Sequence, residues 1–140
     1  MTLNLTEINW LAVVVAALAT FFLGGLWYTA LFGKKWAALH GYTDEKMQQM
    51  HAKTPPPVFF STLLVCYFLV AVVIAVIVTT FGLSTAASGA ALGGLLWLLA
   101  AAVGMTGHIA SDRHIGIFAI DTTYQLLYLV GSGAIIAGWR

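Results

Sequence analysis

Four polar side chains, Asp121, Gln125, Tyr128 and Ser132, are set into one apolar stretch between Ile115 and Trp139. Their steps of i, i+4, i+7 and i+11 stack them on one narrow face of a 3.6-residue helix. That seam is about 16 Å long at 1.5 Å per residue, roughly half the hydrocarbon thickness of a bilayer. A carboxylate in such a setting either carries protons or cations through a membrane or locks helices together by accepting their hydrogen bonds. Left against lipid tails it costs on the order of 3 kcal/mol. The seam is therefore expected to face protein or a polar cavity, with Leu126, Leu127, Leu129, Val130, Ile135 and Ile136 covering the other faces.

Two further groups belong at the same depth if the chain folds back and forth across a membrane. Tyr28 lies near the end of the first apolar run and His108 near the end of the third, each about as far from its boundary as Asp121 is from the start of the last. The expectation is that Asp121 meets Tyr28, with His108 as a third member. A metal reading of His108, Asp112 and His114 is weak, because zinc wants three or four ligands and helix ends carry such residues for capping. No metal and no cofactor is expected. Gly93-Gly94 lies inside an apolar run without a Lys or a preceding strand, so it is not a phosphate loop. The serines have no histidine at helical spacing to act as base, and no catalytic residue is assigned. His40 and His51 read as solvated loop residues.

The elements that position these groups follow from composition. Of the 140 residues, 61% are hydrophobic and 8% charged, and the mean hydropathy is +0.93. Soluble domains carry about 25% charged residues, so this chain could not cover itself in water. A net charge of +1 gives no sign of nucleic acid as a partner. Cys66 is the only cysteine, which excludes an intrachain disulfide.

Four spans are expected, at about 10–32, 58–81, 88–109 and 115–139, within a single membrane domain 1–140. The first has Ala12, Ala16, Thr20, Gly24 and Tyr28 on one face, small residues that let helix backbones approach closely in lipid. The second, with Ala71, Ala75 and Thr79 below Tyr67, reads as the most lipid-exposed. The third carries Gly89, Gly93 and Gly94 for close packing. Between the first two lies the polar loop 33–57. There Gly41 is expected to stop one short helix, Thr43 to cap another with Asp44 and Glu45 in its first turn, and the prolines 55–57 to begin the next span. Ser111 or Asp112 is expected to cap the last. Lys34, Lys35, Lys46, Lys53 and Arg113 all fall in the first and third connections, which makes 33–57 and 110–114 cytoplasmic and both termini external. The four lysines fulfil that topology rule and can also meet anionic lipid headgroups. Trp10, Trp27, Tyr28, Trp36 and Trp139 are expected in an aromatic belt at the boundaries.

The motifs Asn9-Trp10-Leu11-Ala12, Gly24-Gly25-Leu26-Trp27-Tyr28 and Leu31-Phe32-Gly33-Lys34, followed by Trp36, resemble the signature of the DUF1761 family of small bacterial membrane proteins. That resemblance implies an integral membrane protein of the bacterial cytoplasmic membrane and carries no catalytic residue with it. The family often has Ser-Pro after the Trp-Tyr pair, where this chain has Thr29-Ala30 and so no proline to bend the helix.

The fold expected is an all-α, four-transmembrane-helix antiparallel bundle with a short cytoplasmic interfacial helix. The function expected is that of a non-enzymatic membrane protein acting by association, as a homo-oligomer or as an accessory subunit of a membrane complex. The alternative is a small transporter or channel that uses the seam around Asp121 as its path. The two differ in the fate of the seam: sealed in the first, open to water in the second.

Overall fold

The computed structural model describes residues 5–140, so residues 1–4 of the expected domain lie outside the described residues. It is helical, with no strand among the described residues. The elements are α1 (Trp10–Leu26), continued by a π-helical turn at Trp27–Leu31, then α2 (Gly33–His40), α3 (Asp44–Lys53), α4 (Pro56–Thr80), α5 (Ala86–Ala110) and α6 (Ile115–Gly138).

The boundaries follow local chemistry. Asn9 caps α1 by accepting from the Ala12 N–H, and Gly41 ends α2 at φ 69°, a left-handed conformation that suits glycine. Thr43 caps α3 by accepting from the Lys46 N–H, with Asp44 and Glu45 in the first turn as expected. Pro56 opens α4 at a position where its missing N–H is harmless. Thr85 and Ser88 form a reciprocal capping box on α5. At α6 the expectation fails: the cap is neither Ser111 nor Asp112 but His114, whose Nδ1 accepts from the Gly116 N–H at 3.0 Å. Ser111 instead donates back to the Gly107 carbonyl, and Asp112 turns the chain at φ 48°.

Three helical stretches are long and apolar enough to cross a membrane: Trp10–Leu31, Pro56–Thr80 and Ala86–Ala110. That is one fewer than the four spans expected. At 24 residues α6 is long enough, but Asp121, Thr122, Thr123 and Gln125 lower its apolar content. The outward surface of the chain is strongly apolar, with Phe22 and Leu95 each 68% exposed and Val65 57%. Such a surface calls for a non-aqueous neighbour.

Helices α1, α4 and α6 share the core. The stripe Ala12, Ala16 and Thr20 of α1 is buried, and it packs on Ala71, Ile74, Ala75 and Val78 of α4 and on Leu129, Ile136 and Ala137 of α6. Helix α5 lies outside this trio and packs on α6 alone among the long helices in any extensive way. Only 11% of its apolar stretch is buried, against 28% for α4 and 33% for α1. The most exposed span is thus α5 and not the second span, because α4 spends its Ala71, Ala75 and Thr79 face on the core. The α5–α6 contact is made backbone to backbone. A Cβ on Gly89 or Gly93 would overlap the Gly133 or Leu129 carbonyl, and one on Gly133 would overlap that of Gly89. Gly94, on a different face, has nothing within 4 Å.

At the ends of α1 and α6 the chain is clasped. Asn9 donates to the Trp139 carbonyl at 2.8 Å, and Arg140 pairs with Glu7 at 2.7 Å while reaching the Val78 carbonyl of α4 at 3.4 Å.

Candidate functional site: a carboxylate sealed by Tyr28 and Trp36

The site is built where α1 ends. An α-helix would turn Trp27 and Tyr28 apart by about 100°, yet both reach α6. The π-helical turn accommodates them: Phe32 N–H donates to the Trp27 carbonyl five residues back at 2.8 Å, and Thr29 Oγ1 donates to the Gly25 carbonyl at 2.6 Å. Gly33 follows so closely that a Cβ there would lie 2.5 Å from the Tyr28 carbonyl oxygen. The bend implied by a proline in the family pattern is made here by a wide turn, a threonine bonded back onto the helix and a glycine.

From that turn Trp27 donates its indole N–H to the Ile120 carbonyl at 3.2 Å, and Tyr28 donates its hydroxyl to Asp121 Oδ1 at 2.6 Å. Trp36 of α2 donates to the same Oδ1 at 3.0 Å. The Asp121 carboxylate thus ties together three elements: the end of α1, α2 and α6. One turn deeper, Tyr124 of α6 donates to the Thr20 carbonyl at 2.8 Å. Its path runs over Gly24, where a Cβ would lie 2.7 Å from the Tyr124 hydroxyl. Deeper still, the Thr20 and Ser132 hydroxyls pair at 3.3 Å. Tyr128 lays its ring on Tyr67 of α4 and on Tyr124, with ring centres 5.7 and 5.1 Å apart. On the far side of α6, Trp97 of α5 donates to the Thr122 carbonyl at 2.8 Å.

The expected members of the site therefore divide. Asp121, Tyr28, Tyr128 and Ser132 all face the helices of the same chain. Gln125 is half-buried, and its amide has no hydrogen bond among the described residues. His108 does not join Asp121: its ring lies 5.4 Å from Phe118, with Nε2 buried and lacking a hydrogen-bond partner among the described residues. No group of three or more metal-ligating side chains occurs among the described residues. Lys34, Lys35, Lys46 and Lys53 are all exposed. A cleft of about 70 Å³ lies between α1 and α6 beside Thr20, Tyr128 and Ser132, walled by Ala16, Leu23 and Gly131.

Sequence reasoning missed Trp36, Tyr124 and His40. Trp27, Tyr28 and Trp36 were expected in the boundary belt, but Trp27 is only 8% exposed and all three turn inward to α6, leaving Trp10 and Trp139 on the surface. Tyr124 stands three residues after Asp121, a spacing that could have placed it beside the carboxylate's turn. His40 is not a solvated loop residue: it ends α2, and its ring lies against Trp36, four residues before it, and Tyr42. The i, i+4 step from Trp36 to His40 was the available signal.

The sequence model of the family described as "Protein of unknown function (DUF1761)" matches residues 11–137. No curated protein and no solved structure matches the chain.

Proposed function

The chain belongs to the DUF1761 family, and from that premise we propose that it is a non-enzymatic multi-pass membrane protein acting by association, as a homo-oligomer or as a small subunit of a larger membrane complex. In this reading α6 is the fourth span of an antiparallel bundle in the bacterial cytoplasmic membrane. Its acid is tolerated there because protein, not lipid, surrounds it. Both termini lie outside and the segments 33–57 and 110–114 are cytoplasmic, in keeping with the positions of Lys34, Lys35, Lys46, Lys53 and Arg113. The same lysines are placed to meet anionic lipid headgroups, although the topology rule alone accounts for them.

The observation that carries the reading is that Asp121, Tyr28, Tyr128 and Ser132 of the seam are engaged by groups of the same chain. Oδ1 of Asp121 is taken by Tyr28 and Trp36, and the Ser132 hydroxyl by Thr20. A transport path needs those groups free to meet its cargo. The exposed side of α5, with Leu95, Leu98, Leu99 and Val103, supplies apolar surface for lipid or for a neighbouring subunit. A transporter is the second reading, favoured by the cleft beside Ser132 and Tyr128. It would require the α1–α6 contact to open.

The subunit mass in lipid nanodiscs, taken by native mass spectrometry for wild type and Asp121→Asn together, tests the association. More than one subunit per particle is expected, and the same number in the variant, since the partners of Asp121 are on its own chain. A single chain in each particle, with no other subunit bound, would contradict it.

A further inference from the structure

His40 is the last residue of α2, the short helix that brings Trp36 to Asp121. Its ring is packed between Trp36, with centroids 4.2 Å apart, and Tyr42, nearly parallel at 4.8 Å. Its Nε2 is buried and has no hydrogen-bond partner among the described residues. A neutral imidazole tolerates that setting, because one of its nitrogens carries no proton and the ring stacks as an aromatic. An imidazolium does not, because it has an N–H donor at both nitrogens and a charge to solvate.

We propose that α2 is a proton-sensitive latch: protonation of His40 releases Gly33–His40 from α6 and uncovers Asp121.

The charged groups that act on His40 are Asp121 from α6 and Arg113 from the turn between α5 and α6. Burial is the largest influence and holds the His40 pKa below the usual 6.5; Asp121 opposes it and Arg113 adds to it. The docked form of α2 therefore binds the proton less readily than a released form whose ring is in water. Docking is fully supported above pH 6.5 and weakens as pH falls from there through the lowered value.

The attachments of α2 are few enough for one residue to matter. It buries none of its own residues fully. Trp36 holds Asp121, and Leu39 lies over the start of α6 so closely that a Cβ on Gly116 would sit 2.9 Å from its Cδ1. Release breaks the Trp36 bond and lifts Leu39. Asp121 then keeps only Tyr28 and becomes reachable from the side of the 33–57 loop. The sealed seam described above thus acquires a condition: it is sealed at neutral pH and opens at its loop end in acid.

The test is amide hydrogen exchange of the full chain in nanodiscs at pH 7.5 and 5.0, with each rate corrected for its intrinsic pH dependence and α4 as the internal reference. Wild type is expected to lose protection severalfold over residues 33–42 at the lower pH, the direction that a docked pKa below that of the released ring requires. His40→Phe and His40→Gln are expected to keep equal protection at both. The two variants guard against one of them failing to fold, and both retain His51, His108 and His114. Wild-type protection that is unchanged or increased in acid would overturn the latch. So would a loss shared by the variants or by α4.

Discussion

Gly93→Leu, and equally Gly89→Leu, is expected to destabilise the protein by about 3 kcal/mol or more, the upper part of the range for overpacking. The reason lies in what the new side chain would meet. At both positions the Cβ itself overlaps backbone carbonyls of α6, at Leu129 and Gly133. A flexible side chain can swing away from an intruding atom, but a helix carbonyl moves only with its helix. Among the long helices α6 is also the only extensive neighbour α5 has among the described residues, so no second large interface holds α5 while that one adjusts. Gly94→Leu, one residue along, is the control: nothing lies within 4 Å of its Cβ, and a change within about 0.5 kcal/mol is expected. Reversible denaturation of the three variants in mixed micelles reads the difference. Equal effects at 93 and 94 would mean that the α5–α6 contact is not the backbone-to-backbone one described.

Asp121→Ala is expected to cost about 2 kcal/mol, on a balance of two magnitudes. Hydrogen bonds to a charged acceptor contribute about 1.5 to 3 kcal/mol each, whereas interhelical polar bonds inside membranes average only about 0.6. The second figure has more weight here, because the carboxylate is part-buried and the released donors can find other partners. Two donors are stranded together, however: the Tyr28 hydroxyl and the Trp36 indole N–H share one oxygen. Asp121→Asn retains a side-chain oxygen for both donors and is expected to cost about half as much or less, since it keeps the acceptor. The cycle of Tyr28→Phe with Asp121→Ala should show a coupling of about 1 kcal/mol. Additive effects would place the two side chains in separate environments.

Much of this arrangement was legible because small residues at a helical period leave few choices. The stripe from Ala12 to Tyr28 had to face other helices, Gly89 and Gly93 had to sit at a close contact, and Gly41 and Thr43 bounded α2 and α3 as their chemistry requires. Tyr28 meeting Asp121 was also legible, from depth alone. What stayed hidden is three-dimensional in origin. Helix α6 is contacted by α1, α4 and α5, so its polar residues are used on several sides: Tyr124 reaches α1 while Thr122 serves Trp97 of α5, and a seam drawn along one face captures neither. The π-helical turn depends on how the backbone passes Gly33, for which no side-chain pattern exists. Trp36 and His40 were misplaced because a boundary tryptophan and a loop histidine look the same in sequence whether the short helix carrying them faces lipid, water or α6. The acid that makes α6 interesting also keeps it out of the set of helices that are apolar enough to cross a membrane.

The central claim is that the seam is closed within the chain, and cysteine accessibility tests it most directly. With the exposed Cys66 replaced by alanine, Ser132→Cys and Tyr128→Cys would be offered a membrane-impermeant maleimide from each side of sealed vesicles at neutral pH, beside Ser111→Cys in the exposed turn as the reactive reference. The account predicts labelling at 111 and none at 128 or 132 from either side, because Ser132 is 4% exposed and pairs with Thr20, and Tyr128 packs on Tyr67 and Tyr124. Labelling at 128 and 132 at a rate near that of 111 would mean that water reaches the seam, and would contradict the sealed, associating protein in favour of a transport path.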